Sequence, residues 1–247
     1  MTLNRKFNKW KTENNQHGRQ AFSRYMMLTF LDGLQDTSKD FVFKGGNLLW
    51  HYIKTPRETV DLDLATISLR SHIEIKELIE KSFNLHNEIN FFIKEFKELD
   101  GVNEIGAAII ISFSTDTGHK NQFSIDIVYA LPTDIVKVKS TLDGEVRLAA
   151  SIENIICDKL SASHKFKSGN TRMKDFDDLW RIVKADIILD NQKLSDLLTE
   201  RNISAQLDME WINFLEDGWK RHSKSYKDVP KDLRIVFQDI NKWLNHA

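Results

Sequence analysis

The chain is 247 residues long, 41% apolar and 29% charged, with a formal net charge of −1. That is enough apolar content for a sizeable core and too much for a disordered protein, and the near-zero charge advertises no nucleic-acid partner through a global field. No apolar run approaches the length of a bilayer span, and the opening MTLNRKFNKWKTENNQ has no apolar stretch after its basic residues, which argues against secretion and membrane insertion. The single Cys157 excludes an internal disulfide and a multi-cysteine zinc site, and it fits a reducing cytoplasm. On an apolar helix face it reads as a small core residue.

In chain order, GRQAFSRYMMLTFLDGL from Gly18 to Leu34 repeats apolar residues at helical spacing. A short strand follows at Phe41-Val42-Phe43, stopped by Gly45-Gly46. Asn47 to Ile53 reads as a helix of two turns that ends before Pro56. Thr59 to Thr66, TVDLDLAT, alternates with period two, as a strand with one apolar face does. Ile73 to Phe83 is helical. A meander then runs through INFFIKEF, GAAIIISFS and QFSIDIVYA, with turns at Gly101 and TDTGHKN. Beyond Leu131-Pro132 the segments SIENIICDKLSASHKF, MKDFDDLWRIVKA, NQKLSDLLTERN, the Trp-bearing stretch from Ala205 to Lys224, and KDLRIVFQDINKWLNH carry helical periodicity. The expected fold is therefore α+β: a mixed sheet with flanking helices over residues 1–135, then a helical half over 136–247 packed against it.

Asp61 and Asp63 stand two apart on the predicted strand, so they share a face while Leu62 and Leu64 point into the core. Asp126 is the one charge in FSIDIV. If its strand neighbours Asp61–Asp63, three carboxylates converge, and like charges that close call for a divalent cation. An oxygen-only ligand set favours Mg²⁺ or Mn²⁺ over zinc. The alternative is an acidic strand end facing water. Gly45-Gly46 favours the first reading, because the pair lets backbone approach a phosphate and the following helix aims unpaired N–H groups at it. Neither a GK[ST] nor a GxGxxG is present. His51, His72, His86, His119 and His164 are scattered, with no i,i+4 metal pair. The six tryptophans fall mostly at core spacing, among them Trp180, Trp211, Trp219 and Trp243.

KGGNLLWHY…RETVDLDL, then FSIDIVYA, IICDKLSA and RMKDFDDLW, resembles the four-motif pattern of the AbiEii/AbiGii toxin nucleotidyltransferases, within the DNA polymerase beta-like superfamily. The motifs extend from Lys44 to Trp180. The resemblance implies that Gly45, Gly46 and Asn47 hold a triphosphate, that Asp61 and Asp63 ligate metal, and that Asp126 is the third carboxylate and proton acceptor. It also implies that Lys159 reaches the nucleotide phosphates, with Lys174, Asp175 and Asp178 matching the KDxxDL motif. Arg57, just ahead of the strand, is expected to contact phosphate or to pair with one of the carboxylates. Asn47 departs from the family's usual Ser or Thr after the glycines; it still offers a donor and an acceptor.

The resemblance further implies an NTP substrate, an RNA acceptor such as a tRNA end, toxicity to the host as in toxin-antitoxin or phage-defence systems, and a cognate antitoxin. The basic residues between Lys159 and Lys184 read either as a solvated face or as an RNA-steering patch. Asp175 and Asp178 read either as site residues or as charges favoured at a helix N-terminus, and Asp177 as one of the latter. Nucleotidyl transfer to a protein or a small molecule, and a non-catalytic nucleotide- or RNA-binding relative, are the rival readings.

Overall fold

The computed structural model describes residues 2–17, 20–68, 71–85, 87–101, 104–130 and 134–245, without the side chains of 100, 101 and 104. Gly18, His86 and Leu131-Pro132 lie outside the described residues. The chain divides into two compact units, Met1–Leu48 with Glu58–Ala150, and Leu49–Arg57 with Ser151–Ala247.

The first unit opens with helices α1 (Leu3–Glu13) and α2 (Gln20–Thr37), followed by strand β1 (Phe41–Lys44) and the start of helix α3 (Gly45–Ile53). Strand β2 (Asp61–Thr66) and helix α4 (His72–Phe83) come next, then strands β3 (Ile89–Gly101), β4 (Glu104–Thr115), β5 (Lys120–Val128), β6 (Ile135–Lys139) and β7 (Val146–Ala150). The seven strands form one mixed sheet in the order β3-β4-β5-β2-β1-β7-β6. β2 pairs parallel with β5 and antiparallel with β1, while β1 runs parallel to β7.

Local chemistry explains these boundaries. Ser71 accepts from the Glu74 backbone N–H while the Glu74 carboxylate accepts from the Ser71 N–H, a capping box that starts α4. On β2, Leu62 and Leu64 are fully buried, and the intervening aspartates face the other side. Helix α2 buries Met26, Met27, Phe30, Leu31 and Leu34. Phe30 meets Phe91 and Phe123 edge-on, with ring centroids 5.6 and 5.7 Å away, contacts that favour this packing beyond simple area burial. The buried Gln35 side chain donates to the carbonyls of Phe41 (2.9 Å) and Leu148 (2.8 Å), stitching α2 to the β1–β7 seam. Arg147 on β7 reaches back to Asp32 (3.1 Å) on α2 and to Asp143 (2.7 Å).

β6 and β7 correct the expected start of the helical part. Residues 136–150 are largely strand and turn, so helical structure resumes at residue 152 rather than 136. Their IVKVK and VRLAA runs are only five residues each, the first with two lysines and the second with an arginine, which weakens the apolar signal. The turn joining them holds Asp143-Gly144, with Gly144 at φ +79°. The helix at the glycine pair also starts earlier than expected, at Gly45 rather than Asn47.

The second unit holds α5 (Ile152–Phe166), α6 (Met173–Lys184), α7 (Asn191–Glu200), α8 (Ile212–Ser223) and α9 (Leu233–Leu244). Ser151, Asp190 and Asp232 cap α5, α7 and α9 by accepting backbone N–H bonds from their first turns. Leu160, Leu179, Trp219, Phe237 and Ile240 are completely buried, the tilted rings of Phe176 and Phe237 meet with centroids 5.0 Å apart, and Cys157 is buried on α5 as its spacing suggests.

His51, in the part of α3 that belongs to this unit, is partly buried, and burial with Lys54 nearby pushes its imidazole down to about 4. A pKa below the unfolded value of about 6.5 stabilises the fold above pH 6.5, and that contribution fades as pH falls toward 4. His51→Gln should therefore lose less stability than the parent between pH 7 and 4.5. After solvent screening of a side chain that is not fully enclosed, the difference is about 1–2 kcal/mol in urea unfolding, and equal losses would refute this account.

Candidate active site

The site is built on two adjacent parallel strands. Asp63 on β2 sits in register with Asp126 on β5, and Asp61 with Ser124. A carboxylate oxygen from each of Asp61, Asp63 and Asp126 lies within 4.8 Å of the others. Burial pushes the Asp63 carboxyl up to about 6; Asp61 and Asp126 add to the rise, while Lys44 and the Gly46 N–H oppose it. Three hard oxygen donors this close, one of them pushed toward protonation by burial and by its neighbours, fit a divalent cation of the Mg²⁺ or Mn²⁺ type. No other group of three potential metal-ligating side chains is found among the described residues.

The glycine turn is fitted to the second aspartate. Gly45 has φ +72°, and a Cβ placed there would overlap the Asp63 carboxylate. The Gly46 N–H donates to Asp63 Oδ2 at 3.3 Å. Gly45→Ala should thus pay for both a left-handed backbone and a displaced carboxylate. We expect a stability loss of at least about 1–2 kcal/mol in thermal unfolding and a fall in transfer rate of at least about tenfold. A variant as stable and as active as the parent would show that the turn does not set Asp63.

Asn47, expected to touch the triphosphate, is fully buried. Its amide Nδ2 donates to the Asp61 carbonyl at 2.6 Å, and its Oδ1 accepts from Arg24 Nε at 3.1 Å. The side chain pins the first turn of α3 to β2 at the first aspartate, a job that needs the donor-plus-acceptor pair of an amide. Arg24 was missed by sequence reasoning, although a lone arginine inside the apolar run of α2 was a signal. Lys44, facing Asp63 across the β1–β2 ladder, was missed because only strand register brings it there.

The motif residues of the second unit form a buried ion cluster of their own. Asp178 is fully buried and accepts from Arg57 Nε and Lys159 Nζ, both at 2.6 Å. Lys159 Nζ also donates to Asp175 Oδ1 at 3.3 Å, and Arg172 Nε binds the other oxygen of Asp175 at 2.6 Å. Burial alone would raise the Asp178 pKa, but the charges of Lys159 and Arg57 outweigh it and hold the carboxyl below its usual range. For Lys159, burial is likewise overcome by Asp178 and Asp175, which keep the ammonium charged. Lys174 is half-buried and has no acidic partner among the described residues. Asp177, read as a helix-terminal charge, is instead wholly buried between Arg181 (2.6 Å) and His222 (2.8 Å).

The α+β fold with this sheet is of nucleotidyltransferase type. The chain superposes on a candidate nucleotidyltransferase from H. pylori with a TM-score of 0.58 at 16% identity, covering 93% of this chain and 98% of that one. It superposes on JHP933 from Helicobacter pylori with a TM-score of 0.57, also at 16% identity, covering 93% and 95%. Residues 29–243 match the family described as nucleotidyl transferase AbiEii toxin, type IV TA system. The chain belongs to this nucleotidyltransferase toxin family, as its four motifs suggested. No curated protein matches the sequence, and among the described residues no helix is long and apolar enough to cross a membrane.

Proposed function

We propose that the protein is a metal-dependent nucleotidyltransferase toxin that moves an NMP group from an NTP to the hydroxyl of an RNA end, tRNA being the leading candidate, with release of pyrophosphate. The observation that carries this reading is the convergence of Asp61, Asp63 and Asp126 within 4.8 Å behind a glycine turn with no room for a side chain. Mg²⁺ or Mn²⁺ held by these three carboxylates would supply Lewis-acid neutralisation of the phosphates.

The chain's own residues do the rest. Gly45 and Gly46 let the triphosphate approach the backbone at the start of α3 with no side chain in between. Asn47 and Arg24 hold that turn against β2. Asp126, the most exposed of the three carboxylates, is assigned as acceptor of the proton that the attacking hydroxyl gives up. Lys159 is held in one orientation by Asp175 and Asp178, and Asp178 is tied in turn to Arg57. Catalysis on this reading is positioning plus charge stabilisation.

The family's type IV toxin–antitoxin setting supports a cognate antitoxin and a cytoplasmic site of action. Incubation with each labelled NTP, Mg²⁺ and total tRNA, beside the Asp63→Ala variant, tests the reading. Label should enter RNA only with the parent protein. Label entering protein or a small molecule instead would reassign the acceptor, and no transfer to any acceptor would remove the enzymatic reading.

A further inference from the structure

A cavity of about 580 Å³ opens within the helical unit between the segment 168–174 and helix α8. Its cations are Arg172, Lys174 and Arg221; Asp217 is the one carboxylate among the described lining residues. Lys174 and the exposed Arg221 have no acidic partner among the described residues. His222, also in the wall, is held at 2.8 Å by the buried Asp177, so its ring is fixed rather than free to turn. Asn170 is 3% exposed; its Oδ1 accepts from the Arg172 N–H at 2.7 Å, while its Nδ2 is buried with no partner. Gly218 keeps α8 close to Met173, since a Cβ there would lie 3.3 Å from the Met173 sulfur.

Phe214 lies 72% exposed on the same face of α8 as Arg221, two helical turns away. A flat apolar ring left in water beside unneutralised cations fits a base next to its phosphate, since aromatic rings stack on any base and cations track the backbone. An acidic peptide would use the charges but not the ring.

We propose that this cavity grips the acceptor RNA strand, with phosphates on Lys174 and Arg221 and one base stacked on Phe214. The proposal rests on the RNA-acceptor reading above and adds the surface that holds the strand. It separates two roles: the carboxylates of the sheet act on the nucleotide, and α8 with the start of α6 selects what receives it.

The test is binding of a fluorescent single-stranded RNA to the full chain in EDTA without NTP, by anisotropy over a series of salt concentrations. Arg221→Gln should weaken binding about tenfold and flatten the plot of log K against log salt by about 0.7 for each phosphate left unneutralised. Phe214→Ala should weaken binding about 5- to 100-fold and leave the salt slope unchanged, because stacking releases no counterions. Both residues are exposed, so both variants should melt like the parent. If both variants bind RNA with the parent's affinity and slope, the cavity proposal is overturned, even where transfer to RNA proceeds. If the variants show the expected losses but the parent transfers nothing from any NTP, the cavity stands and the transferase reading falls.

Discussion

Asp63→Asn should abolish nucleotide transfer, by on the order of 10³-fold or more, while leaving the protein folded. That factor corresponds to about 4 kcal/mol of transition-state stabilisation, within the range a catalytic metal supplies. Asparagine keeps the shape and can still accept from the Gly46 N–H, but it cannot bring a charge to the triad. The fold should gain if anything, because Asp63 is destabilised as an anion by burial and by Asp61 and Asp126. In metal-free buffer the variant should therefore melt at or above the parent's temperature. Added Mg²⁺ should raise the parent's melting temperature and leave the variant's unmoved, since a ligand stabilises only the state that binds it. A variant that keeps transfer, or that unfolds, would remove the assignment of Asp63 as a ligand; an equal Mg²⁺ response in both would point to a cation site elsewhere.

Asp178→Ala should be the most destabilising single change in the helical unit. It leaves Arg57, 7% exposed, and Lys159, 9% exposed, without the carboxylate that both bind at 2.6 Å. Removing one member of a buried ion cluster costs about 3–5 kcal/mol, because the remaining charges stay buried and uncompensated. Lys159→Met should cost less, since Asp178 keeps Arg57. Denaturant unfolding of the two variants separates the cases, and a loss of under about 1 kcal/mol for Asp178→Ala would mean that water reaches the cluster. Acid has the same effect as the mutation. The folded Asp178 pKa is depressed, so its contribution is complete above the unfolded value of about 4 and disappears as pH falls through the folded one.

Much of this was legible before any coordinates. The alternation in TVDLDLAT placed two carboxylates on one face and two leucines in the core, and the same rule singled out Asp126 in FSIDIV. What could not be read was register. That β2 and β5 are neighbours, parallel, with Asp63 opposite Asp126, depends on sheet topology, which no local pattern encodes. In RMKDFDDLW the sequence misleads at Asp177 alone, which reads as a helix-terminal charge, while Asp175 and Asp178 read either that way or as site residues. All three are buried, each matched to a cation from a distant part of the chain or the next turn. Arg57 is 121 positions from its partner Asp178. The short, charge-bearing strands β6 and β7 escaped notice because five residues give too few periods for the alternation to stand out.

The parallel pairing of β2 with β5 also sets a timetable for synthesis. Asp61 and Asp63 emerge early, but Asp126 follows Asp63 by 63 positions, and the strand carrying it cannot dock until the intervening β3–β4 hairpin is made. At about 5–20 residues per second, that gap lasts about 3–13 s on the ribosome. The β1–β7 seam closes later still, when residues 146–150 arrive. A nascent chain thus carries an incomplete triad until β5 has emerged, and the carboxylates can assemble only after residue 128 has been made.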